Sequence, residues 1–189
     1  MQVYLIRHAE RGNGEKQDTL TKNGVEQAKK AADYFVKLRK EGVKFETIYA
    51  SSKKRALLTA KPIAESLGLP ILMDSALDEH RLGKLEGKSA SEWRNALNKS
   101  GLSEEDFRPD SGENKKDFHE RVNTFWNKFD DKRGDIILVT HAGFIRNSLL
   151  LLFKEENQKA NNPIINPCSI VKIYIKNRKA KYLGIDEID

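Results

Sequence analysis

The sequence predicts an α/β fold, with a mostly parallel central sheet covered by helices on both faces. Two observations carry the prediction. Short apolar runs of strand length alternate with longer stretches whose apolar residues recur at helical spacing. Histidines, arginines and small polar residues stand directly behind three of those runs, where sheets of this kind collect their ligands. At 189 residues the chain can bury one substantial core. It carries no internal repeat, low-complexity tract or linker, so residues 1–189 read as a single domain.

The elements follow in order. Val3-Tyr4-Leu5-Ile6 reads as a buried strand, and residues 12–18 as a polar loop. Val25, Ala28, Ala32, Phe35 and Leu38 mark one face of a helix from about Thr21 to Arg39. Thr47-Ile48-Tyr49-Ala50 is a second strand. Leu57, Ala60, Ala64 and Leu67 line a second helix, with Gly68 as its stop. Pro62 lacks a backbone N–H and is expected to kink that helix or start it anew. Pro70-Ile71-Leu72-Met73 is a third strand. The stretch 83–112 is less regular, with a short helix over Ser89 to Asn98. Phe118, Val122, Phe125 and Phe129 mark an amphipathic helix, Ile136-Ile137-Leu138-Val139 a buried strand, and Phe144 to Phe153 an apolar helix. Ser169 to Ile175 and Ala180 to Ile185 close the chain as two strands, turning near Asn177.

Composition narrows the function classes. Hydrophobic residues make up 38% and charged residues 33%, a soluble and heavily charged profile. No apolar run approaches the ~20 residues that span a bilayer, and the N-terminus shows no secretory signal pattern. The lone Cys168 excludes an internal disulfide, and together these features point to the cytoplasm. The net charge of +6 is spread along the chain and mixed with acids. Its densest cluster, Lys53-Lys54-Arg55, has no interleaved aromatics, so neither nucleic acid nor a membrane surface is expected as partner.

Arg7-His8 follows the first strand, Ser51 to Arg55 the second, and Thr140-His141 the strand at Ile136. Two histidines and two arginines at one sheet edge suit a phosphoryl group. Arginine offers a planar fork of donors that grips phosphate oxygens, and a neutral imidazole can attack phosphorus and form phosphohistidine. Glu79, just after Met73, is placed to protonate the leaving oxygen, and neighbouring His80 is a weaker candidate for that role. His119 reads as a residue on the polar side of its helix. No His-x-His, His-Glu-x-x-His or cysteine pair suggests a metal site.

These segments resemble the motifs of the histidine phosphatase superfamily, the phosphoglycerate mutase-like family. Leu5-Ile6-Arg7-His8-Ala9-Glu10 resembles its Arg-His-Gly motif. Leu20-Thr21-Lys22-Asn23-Gly24 with Gln27-Ala28 resembles its first helix start, and Ser51-Ser52 with Arg55-Ala56 and Thr59-Ala60 its second arginine motif. Leu77 and Glu79, followed by Gly83 and Glu86-Gly87, resemble its acid motif. Gly112-Glu113 with Arg121-Val122 is similar to a further element, and Val139-Thr140-His141-Ala142-Gly143 with Ile145-Arg146 to its second histidine motif.

The resemblance implies a three-layer α/β/α sandwich and a set of roles. His8 is the expected phosphorylated nucleophile, with Arg7, Arg55 and His141 binding the phosphoryl group. Glu79 is the expected general acid, then base. No metal or organic cofactor is expected. Ala9 replaces the family's glycine, tolerable where the backbone keeps a negative φ. The family's phosphate-binding asparagine falls nearest to Asn13, one residue out of register. Arg11 stands where the family has Thr or Ser, as a candidate contact to a second acidic group or a solvated loop residue. The expected activity is hydrolysis of a small phosphomonoester. The alternatives are a phosphoglycerate mutase and, further off, a protein phosphohistidine or phosphoprotein phosphatase. The short stretch between Gly83 and Gly112 leaves little material for the lid of a mutase, and the presence of all five reactive residues argues against a non-catalytic binding module.

Overall fold

A computed structural model of the chain describes residues 1–13, 18–128, 134–153 and 163–188. Its strands are β1 (Gln2–Arg7), β2 (Phe45–Ala50), β3 (Ile71–Met73), β4 (Asp135–Thr140), β5 (Ile170–Lys176) and β6 (Lys179–Asp186). They form one sheet in the order β3-β2-β4-β1-β5-β6. Strands β3, β2, β4 and β1 run parallel, while β5 and β6 are antiparallel to their neighbours. The helices are α1 (Lys22–Lys40), α2 (Lys54–Leu67), α3 (Ala90–Ser100), α4 (Lys115–Asn127) and α5 (Ala142–Phe153). This is the expected three-layer sandwich with a mostly parallel sheet.

Side-chain alternation along the strands divides the core in two. Tyr4, Ile6, Ile48, Ile137 and Val139 pack on one face with Phe35 of α1 and Ile63 of α2. Val3, Leu5, Ile136 and Leu138 pack on the other with Phe118 of α4 and Phe144 of α5. Because both faces are covered, the central strands read as continuous apolar runs instead of alternating ones.

Three local signals behave as their chemistry requires. Gly68 ends α2 in the left-handed conformation at φ 61°. Asn177 and Arg178 both take positive φ, closing the β5–β6 hairpin with a two-residue turn. Ser89 and Glu92 form a reciprocal cap that starts α3. Pro62 does not start the helix anew: α2 runs from Lys54 to Leu67 with the proline inside. The lost backbone bond is offset by burial of Ile63, Ala64 and Leu67 in the core. Helices α4 and α5 begin at Lys115 and Ala142, earlier than their apolar faces suggest. For α4 the reason is the polar cap formed by Asn114 and Asp117, which no apolar period reveals. Phe129 and most of the 12–18 loop lie outside the described residues.

Glycine is obligatory where 81–83 meets 110–112. Gly83 sits at φ 54°, and a Cβ there would lie 2.0 Å from the Asp110 carbonyl oxygen. Lys84 N–H donates to that same oxygen at 2.9 Å, and Glu113 N–H to the Arg81 carbonyl at 2.9 Å. The segment that carries α3 is thus stitched shut at its base beside the end of β3. Among the described residues no helix is long and apolar enough to cross a membrane.

Candidate active site

Strands β2, β4 and β1 are contiguous and parallel, so the residues after them emerge along one edge. The backbone ladder continues one residue beyond the strands. His8 N–H donates to the Thr140 carbonyl at 2.8 Å, and Ser51 N–H to the Val139 carbonyl at 2.9 Å. His8, Ser51 and His141 are thereby fixed side by side, and the two imidazoles meet edge to face with centroids 5.1 Å apart.

The tautomer of His8 follows from its neighbour. Its Nδ1 lies 2.8 Å from the Ala9 carbonyl oxygen, which can only accept, so Nδ1 carries the proton. Nε2 keeps its lone pair. Burial, together with the Arg55, Arg7 and Arg11 charges, pushes the His8 pKa down to about 3 against the pull of the Ala9 carbonyl. The ring is therefore neutral at ordinary pH, with its free lone pair on Nε2. Ala9 is fully buried and keeps clear of positive φ, so the methyl replacing the family's glycine introduces no backbone strain.

The arginines converge on the same place. Arg7 donates through Nη1 to the Ile165 carbonyl at 2.6 Å. Its pKa is lowered chiefly by burial, with Glu79 pulling the other way and Arg146, Arg11 and Arg55 adding to the lowering. Arg55 is held by Asp18, whose carboxylate takes Nη1 at 3.0 Å and the Lys54 N–H at 3.1 Å. Asp18 thus caps the start of α2, which Lys53 leaves without a side-chain cap. The Nε atoms of Arg7 and Arg55 are buried without a protein acceptor among the described residues. Donors of that kind call for an anion.

His141 is fully buried. Its Nδ1 lies 3.3 Å from Arg55 Nη2, and its Nε2 2.8 Å from Ser51 Oγ. Its pKa falls well below the usual imidazole value, first through burial and then through His8, Arg55, Lys53 and Arg121.

Glu79 stands at the N-terminus of α5, where its carboxylate accepts from Gly143 N–H at 3.1 Å. The backbone around it is clamped by Arg121, which donates to the carbonyls of Ala76 at 2.8 Å, Asp78 at 3.0 Å and Glu79 at 3.2 Å. Arg121 is itself paired with buried Glu113. A cavity of about 800 Å³ opens beside Glu79, with Gly143, Arg146, His80, Phe118 and His119 in its wall. His80 stacks on Phe118 at 5.2 Å and donates from Nε2 to the Glu113 carbonyl at 2.9 Å.

Of the residues singled out from the sequence, Arg7, His8, Arg55 and His141 meet at one point, and Glu79 stands beside Arg7. Asn13 is exposed, one residue beyond Gly12, whose N–H donates to the Thr19 carbonyl at 3.0 Å. Ser51, Asp78, Asp18 and Arg146 belong to the site but received no individual role from the sequence. Ser51 and Arg146 lay inside recognised motifs, whereas Asp18 and Asp78 carried no signal beyond being acids next to a motif. His119 is exposed, with Nδ1 2.7 Å from Asn147 Oδ1. No group of three or more His, Cys, Asp or Glu among the described residues is arranged to hold a metal ion.

A sequence profile of the histidine phosphatase superfamily (branch 1) matches residues 3–187. The chain belongs to this superfamily. It is 27% identical over 195 residues to the broad-specificity phosphatase YOR283W of Saccharomyces cerevisiae, covering 95% of this chain and 82% of that one. It is 36% identical over 103 residues to the 2,3-bisphosphoglycerate-dependent phosphoglycerate mutase of Thermoplasma acidophilum, covering 50% and 49% of the two chains. In fold it is similar to phosphoglycerate mutase from Bacillus anthracis, with a TM-score of 0.77 at 18% identity over 97% of this chain and 92% of that one. It is also similar to Entamoeba histolytica phosphoserine phosphatase in complex with 3-phosphoglyceric acid, with a TM-score of 0.74 at 24% identity over 98% and 96%. Phosphatases and phosphoglycerate mutases thus both stand among its relatives.

Two outcomes are expected from this geometry. A Cβ at Gly143 would lie 2.0 Å from Glu79 Oε1, and the yielding partner is the tip of a flexible side chain. Gly143→Ala should fold, with a stability change within about 1 kcal/mol. If Glu79 moves protons in a phosphoryl transfer at His8, the variant should slow alkyl phosphate turnover by roughly 10²-fold and nitrophenyl phosphate, whose leaving group needs little protonation, far less. Equal losses on both substrates would contradict the placement of Glu79.

The second outcome concerns pH. His8 titrates at the usual 6.5 when unfolded and at about 3 when folded. The unfolded chain therefore binds the extra proton first, and stability present above 6.5 is lost as pH falls toward 3. Urea midpoints measured through this window should fall less steeply for His8→Asn than for the wild type; parallel curves would contradict a buried neutral His8.

Proposed function

We propose that the protein is a phosphomonoester hydrolase that acts on a small phosphorylated metabolite through phosphohistidine at His8, residues 1–189 working as one catalytic domain. The observation that supports this best is the neutral, Nδ1-protonated imidazole of His8 among Arg7, Arg55 and His141. In this reading the Nε2 lone pair attacks phosphorus. The P–O bond to the leaving group breaks, and Glu79 hands its proton to the departing oxygen. Arg7, Arg55 and His141 offset the charge on the equatorial oxygens, the part Mg²⁺ plays in other phosphoryl transfers. Glu79, now a carboxylate, takes a proton from water as that water attacks the phosphohistidine and releases inorganic phosphate.

A phosphoglycerate mutase shares the first half of this cycle and differs in excluding water from the second. Three observations favour the hydrolase. The wall beside Glu79 opens into a broad cavity, and the stretch from Gly83 to Gly112 holds one short α-helix. The yeast phosphatase matches nearly the whole chain, whereas the Thermoplasma mutase matches half of it.

A panel of small phosphomonoesters should release inorganic phosphate steadily in the presence of a chelator. Interconversion of 2- and 3-phosphoglycerate should be negligible, with or without bisphosphoglycerate. Efficient interconversion without phosphate release would make the protein a mutase, and complete loss of activity with chelator would overturn the metal-independent mechanism.

A further inference from the structure

A buried carboxylate that the catalytic cycle leaves unused stands behind His141. Asp78 is 5% exposed and Ser51 fully buried. Ser51 Oγ lies 2.8 Å from Asp78 Oδ1, 2.8 Å from His141 Nε2 and 3.2 Å from the Lys53 N–H. A hydroxyl has one proton and two acceptor sites. The carboxylate can only accept, so the Ser51 proton goes to Asp78, and Ser51 accepts from both Lys53 N–H and His141 Nε2–H. That assignment places the His141 proton on Nε2 and leaves Nδ1 to accept from Arg55 Nη2 at 3.3 Å.

A neutral ring in this tautomer presents a lone pair toward the arginine cluster, and a phosphoryl oxygen arriving there would be repelled. His141 can bind the anion only by gaining a second proton at Nδ1. The resulting imidazolium would be a buried cation among cations, facing His8 just after β1, Arg55 and Lys53 from the start of α2, and Arg121 from α4. The acids near it are Glu79 and Asp78 of the loop after β3 and Asp18, which reaches its Nδ1 side through Arg55; Asp78 is the one joined to its Nε2 side, through Ser51.

We propose that Asp78, acting through Ser51, is a positioning residue that holds His141 as the imidazolium whenever a phosphoryl group is bound, so that phosphate binding takes up a proton. Two further contacts fit this role. Asp78 also accepts from Ser52 N–H at 2.9 Å and from Ser52 Oγ at 2.9 Å, which pins the turn into α2 and with it Arg55. Arg81 Nη2 lies 3.6 Å from Asp78 Oδ2, a cation on the far side of the carboxylate from Ser51 Oγ and Oδ1. One carboxylate thus organises both halves of the anion site: the ring that gains a proton and the guanidinium beside it.

The inference rests on the phosphoryl-binding reading of the site, and calorimetry with inorganic phosphate separates the two. Titrations are run at about pH 8, where free phosphate is mostly dianion, in buffers of different ionisation enthalpy. The wild type should take up about one proton per phosphate bound. Asp78→Asn and Ser51→Ala should take up much less and bind phosphate about tenfold or more weakly at this pH. The deficit should shrink as pH falls, because free protons then supply what Asp78 no longer favours. Ser51→Ala removes only a hydroxyl, so it carries the test even where Asp78→Asn folds poorly. Phosphate binding without proton uptake in the wild type overturns the inference, as does a variant deficit of equal size at every pH, which is what a merely structural role produces. Failure of the wild type to bind phosphate at millimolar concentration overturns the phosphatase reading itself, and the inference with it.

Discussion

The structure depends on a backbone ladder that does not stop where its strands stop. His8 N–H reaches the Thr140 carbonyl and Ser51 N–H the Val139 carbonyl, each one residue beyond regular pairing. These two bonds fasten β1 and β2 to the end of the central strand β4, and the reactive side chains are carried on the residues so fastened. Burial of β4 on both faces makes the anchor rigid: every residue from Ile136 to Val139 is fully inaccessible. Apolar packing far from the chemistry is therefore what sets the spacing of the two imidazoles.

The same burial decides the charge states. Two histidines among arginines in a desolvated edge lose their protons; in the proposed cycle that neutrality gives His8 its nucleophilic lone pair and leaves His141 free to take up charge when an anion arrives. The arginines cannot lose theirs. Part of their donor capacity is used up by Ile165 and Asp18, and the buried Nε atoms keep an unmet demand for an acceptor. Buried donors left unmatched cost free energy, so the fold holds the site in a state that a phosphoryl dianion stabilises.

Much of this was legible in the sequence. Continuous apolar runs announced strands covered on both faces, and Gly68 and Asn177 marked a helix stop and a hairpin because both signals are local. His8 and His141 were visible because each directly follows a strand, and Arg55 because it opens the helix that the second strand leads into. Asp18 and Asp78 were not: Asp18 meets Arg55 across 37 positions and Asp78 meets Ser51 across 27, contacts that exist only once β3, β2 and β4 are in register. Pro62 shows packing overruling a local propensity.

The central claim is a covalent bond between phosphorus and His8 Nε2, and trapping it is the most direct test. Enzyme mixed with a radiolabelled phosphomonoester, quenched in alkali within the first turnover and digested, should yield one peptide carrying an alkali-stable, acid-labile phosphoryl group on His8. Label on another residue, or steady phosphate release from an enzyme that never becomes labelled, would contradict the account.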